Sequence, residues 1–362
     1  MKAWRSAILS ALGIVALAIV AVPFDAPVAT AKGCDIARPS TCTLAEVARA
    51  AGIRVGTTLE ADETTLEPYA TTAAREFTSV TPENALKWYV IHNTPDSWKF
   101  GPGDTVVDFA VAHGMEVRGH NLVWAQDTYT PAWVRALSPN DLRTTTDQYI
   151  RAVIDHFKDR VHRWDVVNEP LESLGTGHSQ SVYWSLGPNW IADVFRTAHA
   201  ADPTAQLWLN EFGTDWVPGK QRALLRLVRG LSQAKVPIDG VGIQMHRLPG
   251  LAVRRQTLER QFREFTALGL QVAVTEVDVP TDPTDPNALR FQARQYGEIT
   301  QACLDVAGCT EVTTWGLTDA RTWLASMTYY PQPSRPLLFD DDYRPKPAYD
   351  RVRRTIAHSV GP

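Results

Sequence analysis

The chain has 362 residues, of which 44% are hydrophobic and 21% are charged, and its formal net charge is -4 at pH 7. This is the composition of an ordinary globular protein, and the lack of a basic excess argues against nucleic acid as a partner. The length permits one large domain, because a barrel of eight βα units needs about 250 residues or more.

A hydrophobic segment lies close to the first residue. Lys2 and Arg5 precede an apolar run from Ala7 to Val22, and the small residues Ala29-Thr30-Ala31 follow it. This order is typical of a secretory signal peptide that is cleaved after the small residues. A membrane anchor is the alternative, but the run is shorter than the roughly 20 residues of a spanning helix. We therefore predict a signal peptide over residues 1–31, a secreted, extracellular protein, and no membrane contact after cleavage.

The four cysteines fall into two close pairs, Cys34 with Cys42 and Cys303 with Cys309. An oxidising destination favours two short disulfides at such spacings. A four-cysteine metal site is the alternative, but it would require the two ends of the chain to meet, and the sequence lacks CxxC spacing. The sequence shows no other credible set of metal ligands, so we expect no metal and no cofactor.

Eight apolar, β-branched runs alternate with helical patterns along the rest of the chain, which predicts βαβ units and a parallel sheet. The runs begin near Ile53, Phe77, Val117, Trp164, Leu207, Val241, Val272 and Val312. Helical patterns cover 147–158, 221–234, 258–268, 291–306 and, last, 343–357. The order predicts an α/β fold with a single (β/α)8 TIM barrel domain over 51–358, after an N-terminal extension over 32–50. The proline-rich stretch 280–286 is expected to be the loop after the seventh strand.

Polar side chains collect where the predicted strands end. They are Glu83, Asn84, His120, Asn168, Glu169, Asn210, Glu211, Gln244, His246, Glu276 and Asp278. Loops are polar in general, so isolated groups of this kind would indicate nothing, but here they recur at most strand ends. Because the loops at the carboxyl ends of barrel strands build the active site, we expect these residues to meet there.

Two of these carboxylates end similar apolar runs. The first run is Trp164-Asp165-Val166-Val167-Asn168-Glu169, and the second is Val274-Thr275-Glu276-Val277-Asp278. Glycosidic bonds are cut by a pair of carboxyl groups, one of which protonates the leaving oxygen while the other attacks the anomeric carbon or activates water. A lone strand-end glutamate is usually a solvated charge or a salt-bridge partner. Two in matching settings favour a glycosidase.

Six segments share one pattern with a known enzyme family: residues 81–88, 118–124, 165–169, 242–246, 275–278 and 314–319, with Trp323 eight places after Trp315. In this order they resemble family 10 of the glycoside hydrolases, the endo-β-1,4-xylanases. One such match would be weak evidence, but six in order span nearly the whole mature chain. The resemblance implies hydrolysis of internal xylosidic bonds of xylan by the same barrel fold.

By that resemblance Glu169 is the acid/base and Glu276 is the nucleophile of a double displacement, which passes through a covalent glycosyl-enzyme and retains the anomeric configuration. Retaining enzymes hold the two carboxyl groups about 5 to 5.5 Å apart, and we expect that separation here. Side chains two apart on a strand share a face, so Gln244 lies with His246 and Glu276 with Asp278. A network of Asp278, His246 and Glu276 is therefore predicted to keep the nucleophile ionised.

The resemblance also implies the substrate contacts. Asn168 resembles the residue that binds the sugar 2-hydroxyl, and Glu83, Asn84 and Lys87 resemble the trio that binds the next sugar on the non-reducing side. Further substrate contacts are expected from His120, Gln244 and His246, indole walls from Trp124, Trp315 and Trp323, and support behind the reacting groups from Asp278 and Asn210. Core positions are expected for Trp88, Trp133 and Trp164, and Cys303 with Cys309 matches a disulfide position common in the family.

Two features depart from the family pattern. After Trp124 the family continues with His-Ser-Gln and soon reaches a proline, whereas the loop Ala125–Thr130 is longer here and lacks the histidine. Gln126 and Asp127 are both candidates for the usual glutamine contact. Pro170, directly after the acid/base glutamate, is more typical of cousin families that act on cellulose or mannan. Both features leave the choice between xylan and glucan open.

The alternative enzyme is a β-1,4-glucanase or a mixed-specificity hydrolase of the same barrel type. A carbohydrate-binding barrel that has lost its chemistry is less favoured, because both carboxylates are present. A nucleotide-dependent enzyme is disfavoured, since the sequence contains neither GxGxxG nor a P-loop. We expect the binding partner to be a polysaccharide substrate, xylan. We also expect the protein to be a monomer.

Overall fold

Eight parallel strands close into a barrel in the computed structural model, which describes residues 33–328 and 330–361. The strands are β1 (Arg54–Leu59), β2 (Ser79–Pro82), β3 (Glu116–Trp124), β4 (Arg163–Asn168), β5 (Gln206–Glu211), β6 (Gly240–Ile243), β7 (Gln271–Val277) and β8 (Cys309–Thr314). Each strand pairs with the next, and β1 also pairs with β8, where Val55 lies opposite Val312. The predicted (β/α)8 barrel is confirmed. The predicted signal peptide lies outside the described residues.

Helices connect the strands and cover the barrel. They are α1 (Leu44–Ala51), α2 (Glu67–Glu76), α3 (Trp88–Ile91), α4 (Gly101–Ala112), α5 (Ala132–Arg135), α6 (Pro139–Phe157), α7 (Trp190–Ala201), α8 (Pro218–Gln233), α9 (Arg255–Thr266), α10 (Ala288–Leu304) and α11 (Pro347–Ser359). Short 3-10 helices occupy Pro39–Thr41, Ala61–Thr64, Asp127–Tyr129, Val182–Leu186, Asp319–Arg321 and Trp323–Ser326. Within the described part of the chain, none of the helices has the length and apolar character needed to cross a bilayer.

Helix α6 starts earlier than its pattern predicts, at Pro139 rather than at residue 147. Ser138 is its N-cap, and the Ser138 hydroxyl accepts the backbone N–H of Asp141 at 3.3 Å. Serine at the N-cap and proline in the first turn are both start signals. Because the first turns are largely polar, apolar periodicity alone places the start too late.

The three tryptophans expected in the core are there. Trp164 is fully buried on the outer face of β4 and packs near Phe157 of α6, with ring centroids 6.2 Å apart. Trp88 is buried and stacks on Tyr149 at 3.9 Å. Trp133 packs partly buried against the same core. These indoles therefore serve packing between the barrel and its helices.

Four charged side chains fill the barrel interior toward the amino ends of the strands: Arg118, Arg163, Asp165 and Glu311. Arg118 donates to Asp165 at 2.5 Å and to Glu311 at 3.3 Å, and Arg163 donates to Glu311 at 2.7 Å. We call these four residues the barrel-floor cluster. Two guanidinium groups and two carboxylates balance one another, which is the condition under which buried charges are tolerated.

Both predicted disulfides are present. Cys34 is bonded to Cys42 with an S–S distance of 2.08 Å, and Cys303 is bonded to Cys309 at 2.00 Å. The second bond ties the end of α10 to the start of β8. Next to the first bond, Arg353 of α11 donates to the Cys42 carbonyl at 3.0 Å. The first disulfide is thereby linked to the helix that ends the fold.

Candidate active site

Glu169 and Glu276 belong to one hydrogen-bonded network at the carboxyl ends of the strands. Asn210 of β5 donates its amide to Glu276 Oε1 at 2.6 Å and to Asn168 Oδ1 at 2.9 Å. Gln244, which follows β6, donates to the same Asn168 oxygen at 3.2 Å and to Glu169 Oε1 at 2.9 Å. Three amide side chains therefore connect two carboxylates that come from non-neighbouring strands.

Glu276 is the penultimate residue of β7 and is 3% exposed. Burial by itself would raise its pKa, but the hydrogen bond from His246, the imidazole charges of His120 and His246 and the hydrogen bond from Asn210 together lower the pKa below its ordinary value. Glu276 is consequently ionised at neutral pH. This is the state that a nucleophilic carboxylate requires.

His246 bridges two carboxylates. Its Nε2 lies 3.0 Å from Glu276 Oε2, and its Nδ1 lies 2.7 Å from Asp278 Oδ2. Trp323 Nε1 donates to the same Asp278 oxygen at 2.8 Å. Burial lowers the pKa of His246, but the charge and hydrogen bond of Asp278 and those of Glu276 raise it to about 10. The ring is therefore an imidazolium that donates from both nitrogens, and the predicted network of these three residues is present.

The backbone that builds this network differs from the prediction. β6 ends at Ile243, and Met245 has a left-handed φ of +67°, so the regular strand that would place Gln244 and His246 on one face does not continue through them. The Gln244 amide turns to Glu169, whereas the His246 ring turns to Glu276. A left-handed conformation of a residue other than glycine costs on the order of 1–3 kcal/mol and is concentrated at functional sites.

Glu169 directly follows β4 and is partly exposed. Its φ is also left-handed, at +55°, and its backbone N–H donates to the Asn210 carbonyl at 2.9 Å. On the side chain, Oε1 accepts from Gln244 at 2.9 Å and from Asn168 at 3.3 Å. Glu169 is therefore accessible to solvent, whereas Glu276 is almost fully enclosed.

His120 lies in the middle of β3, so its predicted place at a strand end is wrong. The strand continues to Trp124, and its register with β4 shifts between His120 and Val123. His120 Nδ1 lies 2.9 Å from Asp165 Oδ2, and its ring meets Trp315 edge-on at 5.2 Å. Asp165 of the barrel-floor cluster therefore fixes the orientation of the His120 ring.

Lys87 supplies a buried cation to the site. Its Nζ donates to Asn84 Oδ1 at 3.0 Å and lies 4.6 Å from the ring centroid of Trp124 and 5.8 Å from that of Trp315. Burial lowers the pKa of Lys87, while surrounding carboxylates, with Glu276 foremost, raise it, and the net direction is downward. Lys87 is thus a member of the site and not a surface lysine.

Glu83 and Asn84 follow β2. Burial and the charge of Glu60 raise the pKa of Glu83 to about 7, although Thr58 donates to its carboxylate at 3.1 Å. Asn84 donates to Glu60 at 2.5 Å and accepts the Tyr89 hydroxyl at 2.7 Å. Sequence reasoning missed Glu60 and Tyr89. Glu60 directly follows β1, so the strand-end rule would have found it, whereas nothing in the sequence distinguishes Tyr89.

The loop Ala125–Thr130 contributes one further residue that sequence reasoning missed, Tyr129. The Tyr129 ring stacks on Trp124 with centroids 3.6 Å apart and an interplanar angle of 8°, and Tyr129 is still 40% exposed. Asp127 accepts the Val182 backbone N–H at 2.7 Å, which fastens the loop. The available signal was an aromatic residue in a loop longer than the family pattern.

Trp315 and Trp323 flank the imidazolium of His246. Their ring centroids lie 6.1 Å and 5.1 Å from that of His246, both in edge-on geometry. Trp315 is 6% exposed and Trp323 is half-buried. Two indoles therefore cover one side of the network formed by His246, Glu276 and Asp278.

A candidate metal group among the described residues consists of Cys34, Cys42 and Glu46. Both sulfur atoms belong to a disulfide, which removes the thiolates that a metal would bind. The groups available for chemistry at the strand ends are carboxylates, imidazoles, amides and one ammonium group.

The chain matches the family model Glycosyl hydrolase family 10 over residues 43–355. It is 33% identical over 298 residues to Endo-1,4-beta-xylanase B of Thermotoga neapolitana, covering 81% of this chain and 85% of the relative. It is 36% identical over 294 residues to Beta-1,4-xylanase of Dictyoglomus thermophilum, covering 78% and 82%.

Solved structures agree with these relatives. Native xylanase 10B from Thermotoga maritima matches with a TM-score of 0.82 at 33% identity, covering 88% of this chain and 99% of that one. Xylanase 10B from Thermotoga petrophila RKU-1, solved with xylobiose, matches with a TM-score of 0.83 at 32% identity, covering 88% and 98%. The family model, the relatives and the barrel all give one answer: the chain belongs to glycosyl hydrolase family 10 and is a retaining glycoside hydrolase.

Proposed function

We propose that the chain is a secreted endo-β-1,4-xylanase that cleaves internal bonds of xylan, with Glu276 as nucleophile and Glu169 as acid/base. The observation that carries the proposal is the shared network in which the two carboxylates have different environments. Glu276 is enclosed and held by an imidazolium and an amide, while Glu169 is partly exposed and held by amides. One carboxylate is kept ionised, and the other is open to solvent.

In the first step Glu276 attacks the anomeric carbon while Glu169 gives its proton to the leaving oxygen, so that the glycosidic bond breaks and an ester to Glu276 forms. In the second step Glu169 takes a proton from water, the hydroxide attacks the same carbon, and Glu276 is released as carboxylate. Two inversions give net retention. His246 and Asn210 stabilise the charge that returns to Glu276 when the ester breaks.

The proposed sugar contacts surround this pair. Asn168 uses its carbonyl oxygen to accept from Asn210 and Gln244 and donates one amide N–H to Glu169 at 3.3 Å, so its second N–H is the one that binds the 2-hydroxyl of the sugar being cleaved. Glu83, Asn84 and Lys87 bind the next sugar on the non-reducing side. Gln244, His120 and His246 position the reacting ring, and Trp124, Trp315 and Trp323 provide its walls. We add Tyr129, whose exposed ring extends the wall at Trp124.

We propose xylan and not glucan as the substrate because the relatives that match most of the chain are named xylanases. The alternative remains a β-1,4-glucanase or mixed-specificity enzyme on the same barrel. The test is the product profile on a defined xylan and on carboxymethylcellulose, with the anomer of the first product followed by NMR. We expect fast release of reducing ends from xylan, slow release from carboxymethylcellulose, and the β-anomer first. The α-anomer first would overturn the double displacement, and equal release from both polymers would support the glucanase alternative.

We further propose that residues 1–31 are removed during export, that 32–50 form an extension to the catalytic domain 51–358, and that the enzyme acts as a monomer. Export implies a mature protein that begins at Lys32. N-terminal sequencing of protein recovered from culture medium and light scattering during gel filtration check both points. A mature chain that retains the apolar segment, or a stable dimer, would contradict them.

A further inference from the structure

A fully buried ion pair lies behind the segment that follows Glu169. Lys220 Nζ is 2.9 Å from Glu211 Oε1, and both side chains are 0% exposed. Lys220 belongs to α8 and Glu211 is the last residue of β5, and the mechanism above uses neither. The ammonium group also lies 3.5 Å from the ring centroid of Phe212, whose backbone N–H donates to Glu211 at 3.0 Å.

Both members of the pair bind the backbone just after the acid/base residue. Glu211 Oε2 accepts the backbone N–H of Leu171 at 3.1 Å. Lys220 Nζ donates to the carbonyl of Ser173 at 3.4 Å. Two and four residues beyond Glu169, the chain is therefore fixed by side chains that come from other elements of the barrel.

The same segment is also closed on itself. Glu172 N–H donates to the Gly177 carbonyl at 2.9 Å, and Ser179 N–H donates to the Pro170 carbonyl at 3.1 Å. The segment after Glu169 is consequently a small hairpin. Glu211 and Lys220 hold the root of this hairpin against β5 and α8.

The backbone of Glu169 explains why such an anchor is needed. Its φ of +55° is a conformation that persists only when the surroundings enforce it. Pro170 has no N–H to donate, so the first downstream backbone donor is that of Leu171, and Glu211 binds it. The family departure at Pro170 and the buried carboxylate at Glu211 are thus two parts of one local arrangement.

We propose that Glu211 and Lys220 are positioning residues that hold the proton-donating carboxyl group of Glu169 at the leaving oxygen by fixing the backbone at Leu171 and Ser173. The proposal rests on the proposed role of Glu169 as acid/base. When both members of the pair are ionised, their charges compensate one another beside the reacting group. Loss of the anchor shifts Glu169 and leaves Glu276, on β7, in place.

The pKa of Glu211 also depends on Glu169. Burial raises its pKa to about 7 against the opposing charge of Lys220, and the charge of Glu169 adds to the rise. Glu211 and Glu169 therefore interact electrostatically as well as through the backbone.

The experiment measures kcat/KM of Glu211→Gln on two substrates, xylotetraose and a dinitrophenyl xylobioside. The first has a poor leaving group that needs a proton, and the second does not. We expect at least a tenfold loss on xylotetraose and less than a threefold loss on the activated glycoside. The double variant Glu211→Gln with Lys220→Met removes both charges together, which a fold tolerates better than one unpaired buried charge, and it should show the same split.

Asp319→Asn is the matched control, because Asp319 forms a second buried pair with Lys346 at 2.7 Å. That pair likewise binds backbone, with Asp319 accepting from Leu337 and Lys346 donating to Arg335, but neither partner segment carries a reacting carboxylate. Its loss should be equal on both substrates. If Glu211→Gln and the double variant each lost the same factor on xylotetraose as on the dinitrophenyl xylobioside, the positioning role would be overturned and a structural role would remain. If Glu169→Ala itself showed no split, the proposed function would fail, independently of Glu211.

Discussion

The two ends of the barrel hold buried carboxylates in different ways. Toward the amino ends of the strands, Glu311 accepts four hydrogen bonds, two from arginines and two from the hydroxyls of Ser79 and Thr313. At the carboxyl ends, Glu276 accepts one bond on each oxygen, from Asn210 and from His246. The environment lowers the pKa of both carboxylates. Ionisation alone therefore does not distinguish the structural carboxylate, Glu311, from the proposed nucleophile, Glu276.

The difference lies in how many acceptor positions remain. A carboxylate has about four acceptor sites, and Glu311 uses all of them, so it has no lone pair available for a new bond. Glu276 uses two, and in the proposed mechanism one of the remaining lone pairs forms the bond to the anomeric carbon. Arginines also carry a permanent charge, whereas the cation beside Glu276 is a histidine that titrates. The barrel-floor cluster is thus a closed cluster with permanent cations. The network of Glu276, His246, Asp278 and Asn210, which we call the open cluster, keeps free acceptor positions and responds to pH.

The largest effect is expected for Glu276→Ala. It should lower kcat on xylan by roughly 10⁵-fold, the scale on which loss of a nucleophile acts in other enzymes. Added azide should restore cleavage of the dinitrophenyl glycoside and give the α-glycosyl azide, because the anion attacks from the face that Glu276 occupied. NMR of the product is the measurement. A β-azide, or wild-type turnover, would assign the nucleophile elsewhere.

Glu169→Ala should lose about 10²–10⁴-fold on xylan, the usual contribution of general acid catalysis. The first step on the dinitrophenyl xylobioside should remain fast, since dinitrophenolate leaves without a proton, and the glycosyl-enzyme should accumulate. Rapid-quench kinetics will show this as a burst of phenolate. Here azide should give the β-glycosyl azide by attack on the ester to Glu276. Equal losses on both substrates would remove the acid role.

Glu311→Gln tests the closed cluster. It leaves Arg118 and Arg163 buried beside a neutral amide, and breaking such a buried pair costs about 3–5 kcal/mol in the free energy of unfolding. Chemical denaturation measures the loss, and kcat per folded molecule should be unchanged. Glu116→Gln is the control, because Glu116 pairs with Arg163 and Arg54 but its side chain is 55% exposed, so the loss should stay below about 1 kcal/mol. Similar losses in both variants would show that burial is not the deciding factor.

The open cluster should respond to pH where the closed one does not. The pKa of His246 is about 10 in the folded protein and 6.5 ordinarily. A raised pKa means that the stabilisation is fully present below pH 6.5 and is lost as pH rises toward 10. His246→Asn, which cannot titrate, should therefore be less stable than wild type by a few kcal/mol at pH 6, and the gap should close by pH 10. Thermal unfolding of both proteins at several pH values gives this gap, and a constant gap would contradict the imidazolium.

Much of this architecture could be predicted from the sequence. Barrel strands are buried on both faces and read as apolar runs, and the two glutamates proposed to react end such runs at β4 and β7. The irregular positions could not be predicted. Periodicity does not encode the register shift that keeps His120 inside β3, or the left-handed Met245 that sends Gln244 and His246 to different carboxylates. Such positions depend on contacts between distant segments.

Glu60 and Glu211 show a second limit. Both follow or end a strand and both carry a carboxylate, yet their partners, Asn84 and Lys220, become visible only in the folded chain. From sequence, a strand-end carboxylate that reacts and one that anchors are the same pattern. What separates them is the number and kind of donors that the fold brings to each oxygen.

The smallest effect is expected for Tyr129, at the edge of the proposed sugar-binding site. Tyr129→Ala removes the ring that stacks on Trp124, and we expect kcat/KM on xylotetraose to fall by about 2- to 10-fold, the range of one aromatic contact, with KM carrying most of the change. Tyr129→Phe keeps the ring and should retain activity. Trp98→Ala is the control, since Trp98 is similarly exposed at 42% but stacks with His92 and Phe100 instead. If Trp98→Ala raised KM as much as Tyr129→Ala, the effect would come from general loosening of the surface; a rise confined to Tyr129 would extend the sugar-binding region into the loop where this chain departs from its family.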